Sequence, residues 1–298
     1  MRASFALSSR LSGRSACTTR RASVRGANGT VRAMADAAGD FYPHGLESLS
    51  PATTVEKTLQ RLGSKFEVVP LPGDSAFVRP ASILYELDGK QRRWDIIQAH
   101  SSVACVLYHK DMDAFLLVRQ FRPAVYAHRL REAAADSKPA PGRAAGFTIE
   151  LCAGLVDKAK SLPQIVVEEI HEEVGYAVAV EGVVQVSAAV AAAGNNGATS
   201  TMFYAEIDNS QRVNAGGGLE STGEAIEVLA LPFSSVPRFV TDASIAKSTG
   251  LMFGLLWAHN ALLSGELTGR AASMEGGALS LKATAEADAL LLKSVLPS

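Results

Sequence analysis

The chain has 298 residues, of which 47% are hydrophobic and 20% charged, with a formal net charge of −1. That length and apolar content allow a sizeable buried core, while the balanced charge offers no basic field for nucleic acid. The apolar run 251–263 is too short to span a bilayer and contains His259 and Asn260, so no membrane partner is expected.

Residues 1–35 carry Arg2, Arg10, Arg14, Arg20, Arg21, Arg25 and Arg32, many Ser and Thr, and no Asp or Glu. This composition reads as an organelle transit peptide; a merely basic disordered arm is the plainer alternative. Val31-Arg32-Ala33-Met34-Ala35 resembles a plastid processing site, which makes the chloroplast the expected location and the mitochondrion the alternative. Loss of those seven arginines takes the formal charge from −1 to −8, so the mature chain would be acidic.

Residues 36–60 are polar and punctuated by Gly and Pro, and read as a linker. Strands are predicted at 65–71, 81–88 and 91–99, then at 102–109 and 114–121, a hairpin around Asp111-Met112-Asp113. Residues 127–146, rich in Ala, Pro, Arg and Gly, are predicted to form a loop, and 147–152 a strand. Apolar runs at 178–190, 199–207 and 225–232 supply further strands, and 243–263 a closing helix. One domain over 61–263 results, followed by a low-complexity tail, 264–298, with an amphipathic pattern near 282–295. Cys17 lies in the leader, and Cys105 and Cys152 lie on apolar strands without metal or redox spacing, so buried thiols are expected.

Residues 154–176 are the most informative stretch. Ser161 with Gln164 fits a capping box, and Pro163 falls in the first turn, where a missing N–H costs nothing. Val166, Ile170 and Val174 make a buried stripe, and Gly175 is placed to end the helix in a left-handed conformation. Glu169 and Glu173 share a neighbouring stripe, with Glu172 beside them. Like charges one turn apart oppose each other; at about 4 Å and an effective dielectric near 20 the repulsion is roughly 4 kcal/mol. A hard divalent cation, Mg²⁺ or Mn²⁺, removes that penalty. A solvated acidic face is the alternative, and the framing glycines and preceding strand weigh against it.

Gly154, Glu169, Glu172, Glu173 and Gly175 fall at the spacing of the Nudix box. Outside it, Arg93-Trp94-Asp95, the run from Val118 to Tyr126, the run from Glu150 to Asp157, Thr201-Met202-Phe203-Tyr204 and Gly216-Gly217-Gly218-Leu219 resemble the UDP-sugar diphosphatase branch of the Nudix hydrolases, over roughly residues 60–262. The resemblance implies an α/β/α sandwich around a mixed sheet, with a small antiparallel N-terminal sheet that pairs with a second subunit, hence a homodimer. It implies metal-dependent hydrolysis of the pyrophosphate bond of a nucleoside diphosphate sugar. UDP-glucose, giving UMP and glucose 1-phosphate, is the first expectation, with ADP-glucose and ADP-ribose as alternatives. By the same resemblance Glu169 and Glu173 are the principal metal ligands, joined by Glu172, the Ala153 carbonyl and Glu224.

Related ADP-sugar enzymes place the water-activating glutamate where this chain has Thr222; the alternatives are that Glu220 or Glu227 substitutes, or that a metal-bound hydroxide needs no dedicated base. Where the box carries Glu and Arg, this chain has Lys160 and Glu168, which suggests an ion pair of reversed polarity. Arg122 resembles a diphosphate-holding arginine, a role suited to its planar fork. Trp94 and Tyr126 are candidates for stacking on the base, while His100 and His171, without partners at ligand spacing, read as structural. The glycine run at 216–218 suggests a mobile loop that carries Glu224 to the metal. A Nudix domain that binds nucleotide without cleaving it is the alternative of another class. The retained carboxylates and the acidic mature charge weigh against it.

Overall fold

The computed structural model describes residues 41–267 apart from positions 72, 74, 76, 220 and 222. The leader and most of the tail expected from the sequence, with its pattern near 282–295, lie outside the described residues. No helix among the described residues is long and apolar enough to cross a membrane.

The framework is a hairpin that opens. Strands β4 (Ser102–His109) and β5 (Ala114–Phe121) pair only beside their turn, from Leu107↔Leu116 to His109↔Ala114. Asp113, at φ 44°, closes the turn, and the Tyr108 hydroxyl donates to its Oδ1 at 2.7 Å. Beyond that the two strands diverge, and β6 (Phe147–Glu150) and β7 (Cys152–Leu155) fill the gap. Strand β6 pairs with the half of β5 away from the turn and β7 with the half of β4 away from the turn, both antiparallel. The remaining strands are β1 (Glu47–Ser48), β8 (Val183–Ala192), β9 (Asn196–Ile207) and β10 (Glu227–Pro232). The main path runs β1-β10-β5-β4-β9-β8, with β4 and β9 parallel, so the sheet is mixed as expected.

Each face of this sheet is covered. On one side Val106, Tyr108, Phe115, Leu117 and Leu229 pack against α4 (Val236–Thr241) and α5 (Thr249–Ser264). On the other, Cys105, Leu107, Leu116 and Val118 meet Ile165, Val166, Ile170 and Val174 of the helix after β7. The period-two alternation of β4 and β5 divides their side chains between the two cores, and the α/β/α sandwich follows. Cys105 and Cys152 are fully buried free thiols, and burial raises the thiol of Cys105.

A separate two-stranded sheet joins β2 (Val78–Leu87) and β3 (Lys90–Ala99). Asp88 and Gly89 both have positive φ, the requirement of a tight hairpin turn whose twist matches the strands. This is the expected small antiparallel sheet. Its outer residues Ile83, Leu84, Tyr85 and Trp94 are exposed.

Several expectations need correction. Residues 41–60 are no linker: β1 pairs with β10, α1 (Val55–Arg61) is capped by Thr54, and Leu46, Ser50 and Val55 are buried. Polar composition hid two apolar anchors and a buried serine, spaced too irregularly for a helix or strand period. Residues 65–71 form no strand; Val68, Val69 and Leu71 are exposed, with no ladder to join. The loop expected at 127–146 contains most of α2 (Pro123–Ala135), where Pro123 starts the helix and the Ala-rich run favours it. The closing helix starts at Thr249 rather than 243, because the Ser248 side chain accepts the Leu251 N–H as its cap.

Candidate active site

Strand β7 runs into a loop and then α3 (Leu162–Glu169), which continues into a π-helical turn, Ile170–Val174. Gln164 reaches back to the Ser161 N–H at 2.9 Å, as the capping box predicts. The π turn was not foreseen. Its mark is the bond from Gly175 N–H to the Ile170 carbonyl, five residues apart, at 3.0 Å. Gly175 then ends the helix in the left-handed region, as expected.

The acidic residues sit on this helix and turn. Glu173 is 5% exposed and accepts one bond from the Ala153 N–H at 3.0 Å. Burial pushes its carboxyl up to about 8, with Glu169 and Glu224 adding to the rise against the Ala153 and Cys152 hydrogen bonds. Burial also pushes Glu169 up to about 7, helped by the charge of Glu172. The Glu169 carboxylate lies so close over Gly154 that a Cβ there would fall 2.1 Å from its Oε1. Any other residue at 154 would expel it. The box glycine is therefore the floor on which the Glu169 carboxylate rests.

The donor set suits a divalent cation. It offers hard oxygens that repel one another, with no lysine or arginine in a salt bridge to Glu169, Glu172 or Glu173 among the described residues. No three His, Cys, Asp or Glu side chains among those residues are gathered closely enough to chelate an ion unaided. A hard divalent cation of this kind commonly shares one or two carboxylates with waters and substrate phosphates. Glu169 and Glu173 are the residues that would hold it.

Gly216, Gly217 and Gly218 all have positive φ and wrap the end of the π turn. Gly217 N–H donates to the Glu173 carbonyl at 2.9 Å and Gly218 N–H to the Glu172 carbonyl at 3.1 Å, satisfying two orphaned helix carbonyls. The loop expected to be mobile is thus tied to the helix that bears the carboxylates. Beyond it, Glu224 accepts the Leu219 N–H at 2.7 Å, and its field is felt at Glu169, Glu173 and Arg122.

The other sequence candidates scatter. Lys160 and Glu168 do form an ion pair of reversed polarity, with Lys158 3.6 Å from the same carboxylate. Arg122 grips Glu150 through Nε at 2.8 Å and Nη2 at 2.6 Å. Those hydrogen bonds raise its pKa, and the fields of Glu150, Glu173 and Glu224 add to the rise. Trp94 is held on β3 by its Nε1, which donates to the Gly194 carbonyl at 2.7 Å. Tyr126 is not available for stacking: it is buried between Phe66 and Phe121, and its hydroxyl donates to the Pro141 carbonyl. An apolar helix face looks the same in sequence whether it lines a pocket or a core. Glu227 is excluded as a general base, since it lies on the opposite sheet face, buried against Arg119 and bonded to the Tyr42 hydroxyl. Glu220 and Thr222 lie outside the described residues. His100 and His171 are exposed.

Sequence reasoning missed Glu150 and Thr148 beside Arg122. The alternation of β6 carried that signal, because it places both on the face that β5 shares with Val118.

A splayed hairpin, an inserted strand-loop-helix and buried carboxylates that oppose one another define a hydrolase of phosphoric anhydrides. No family model matches the chain. It is 36% identical over 205 residues to a uridine diphosphate glucose pyrophosphatase of Bos taurus, covering 64% of this chain and 92% of the relative. The corresponding protein of Mus musculus is 34% identical over 63% of this chain and 91% of its own. A GDP-mannose pyrophosphatase of Cronobacter sakazakii is 32% identical over 55% of this chain and 79% of its own. The chain belongs to the Nudix hydrolases.

Proposed function

We propose that this enzyme hydrolyses the pyrophosphate bond of nucleoside diphosphate sugars, with UDP-glucose as substrate, UMP and glucose 1-phosphate as products, and Mg²⁺ as the metal. The observation that carries this is the pair Glu169 and Glu173 on the box helix, raised to about 7 and about 8 by burial, with the charges of neighbouring carboxylates adding to each rise. The similarity to uridine diphosphate glucose pyrophosphatases over nearly their whole length favours the uridine compound. Nudix pyrophosphatases use divalent metals. When bound, such an ion neutralises the diphosphate and lowers the pKa of water.

The chain's own residues do the rest. Glu169 rests on Gly154, and Glu173 is held by the Ala153 N–H, so both carboxylates stand preoriented at the end of β7. Glu172 and Glu224 border them, and the Ala153 carbonyl is the further oxygen ligand in this reading. Arg122 stands at the rim, where its fork meets the diphosphate. Trp94, half exposed on the hairpin, is the aromatic surface left for a base, in a homodimer built through β2 and β3. The leader directs the chain to the chloroplast.

The test is phosphate-ester release by a chain starting at residue 36, supplied with Mg²⁺ and UDP-glucose, ADP-glucose, ADP-ribose or GDP-mannose. UDP-glucose should turn over fastest, and Glu173→Gln should lower kcat by about 10²-fold or more. Saturable nucleotide binding with no turnover of any of them would reject the enzyme in favour of a binding module.

A further inference from the structure

Glu150 and Thr148 have no part in that reading, yet the geometry gives them one. Strand β6 lies along the end of β5, with Phe121↔Phe147, Gln120↔Thr148 and Val118↔Glu150 as partners. Alternation puts Thr148 and Glu150 on the same face, and Arg122 leaves β5 just beyond them. The Glu150 carboxylate takes the guanidinium side-on, Oε1 accepting from Nε at 2.8 Å and Oε2 from Nη2 at 2.6 Å. The Thr148 hydroxyl donates to the same Oε1.

A guanidinium has five N–H groups in one plane. The side-on fork occupies two, which leaves one N–H on Nη2 and one on Nη1 along the end-on edge, the second Nη1 N–H lying on the far side. That edge can bridge two oxygens of a diphosphate. An arginine half exposed to water would otherwise spread over many rotamers, whereas Glu150, only 19% exposed, is held in place by β6.

We propose that Glu150 and Thr148 are positioning residues for the substrate, clamping Arg122 so that its free edge is presented to the diphosphate before the substrate arrives. This rests on the assignment of Arg122 as the diphosphate-holding group. The clamp acts on binding, so its loss raises KM and leaves kcat nearly unchanged.

The experiment compares wild type, Arg122→Lys, Glu150→Gln, Thr148→Val, Thr148→Ser and the double variant Arg122→Lys with Glu150→Gln. Each is measured with UDP-glucose for KM and kcat, with UDP for Kd, and by thermal melting. Arg122→Lys should weaken UDP by about tenfold or more, since it removes a charge-assisted fork. Glu150→Gln and Thr148→Val should each weaken it about three- to tenfold at similar kcat, while Thr148→Ser, which keeps the hydroxyl, stays near wild type. In the lysine background, Glu150→Gln should add no more than about twofold, because residues acting through one another are not additive. Thr148→Val keeps both charges and carries the test if Glu150→Gln folds poorly. Wild-type UDP affinity in Glu150→Gln or Thr148→Val, or an undiminished Glu150→Gln effect in the lysine background, would overturn the clamp. Wild-type affinity in Arg122→Lys would instead overturn the assignment of Arg122, and the clamp with it.

Discussion

Glu173 holds a carboxylate in the protein interior with one backbone N–H and the Cys152 thiol for company, and Glu169 sits beside it on the same helix. Their values of about 8 and about 7 lie above that of an ordinary carboxylate. Across that window the folded chain keeps protons that the unfolded chain has released, so stability falls as pH rises and the loss is complete above about 8. In EDTA the melting temperature should therefore drop between pH 5 and pH 8.5, by about 2–4 °C for each kcal/mol lost in a domain of this size. Glu173→Gln should flatten that drop, and Mg²⁺ should raise the melting temperature more at pH 8 than at pH 5. A flat wild-type profile would mean that the carboxylates are already compensated. At this scale the sequence was most legible where chemistry demands a residue type at a fixed spacing. The Lys160–Glu168 pair was legible that way, and the spacing that singles out Gly154 and Glu169 brings the two into contact. Tyr126 was misread because a helix with one buried aromatic gives no sign of which wall that aromatic faces.

At the scale of the element, the box helix is held from both ends. Its start is fixed by Ser161 and Gln164, a local device visible in sequence. Its end is fixed by a remote one, the glycine run forty residues on, whose N–H groups cap the π turn. Three adjacent glycines signal unusual backbone, but what that backbone wraps is decided by tertiary packing. A Cβ on Gly216 would lie 2.5 Å from the Glu173 carbonyl oxygen at a φ of 65°. Gly216→Ala should thus cost about 1–3 kcal/mol and weaken Mg²⁺ binding as well, because it disturbs the turn bearing Glu172 and Glu173. Melting curves with and without the ion check both effects. Gly223→Ala, also at positive φ but with nothing within 4 Å of its added Cβ, should leave Mg²⁺ affinity close to wild type. Helix α2 was illegible for the opposite reason: Pro and Arg suggested a loop, and the alanines between them outweighed that suggestion.

At the scale of the whole molecule, the sheet is completed late. Strand β9 returns to lie parallel to β4 only after the chain has laid down β5 to β8 and the box helix. The carboxylates therefore gain their final surroundings through long-range pairing, whose loop-closure cost comes before its reward. The hairpin of β2 and β3 stands apart, with Leu84 73% exposed and Trp94 52% exposed, a patch that monomers seldom leave to water. The chain should run as a dimer in light scattering, and Leu84→Asp should shift it to the monomer while the box helix stays folded. A monomeric wild type would remove the hairpin as the interface. The sandwich and the hairpin were legible from alternating apolar residues, but the inserted strands β6 and β7 were read as one because a single residue, Leu151, separates them. The buried Arg119–Glu227 pair limits how far the chain can be shortened. Its guanidinium donates to the Phe41 carbonyl and lies under the Tyr42 ring, 4.8 Å from the centroid, while the Tyr42 hydroxyl donates to Glu227 at 2.8 Å. Half of a buried ion pair's hydrogen bonding is thus supplied by two residues at the amino-terminal margin of the domain. Any shortening of the chain that reaches Phe41 and Tyr42 would leave two interior charges poorly solvated, so a truncation meant to keep the fold has to stop before them.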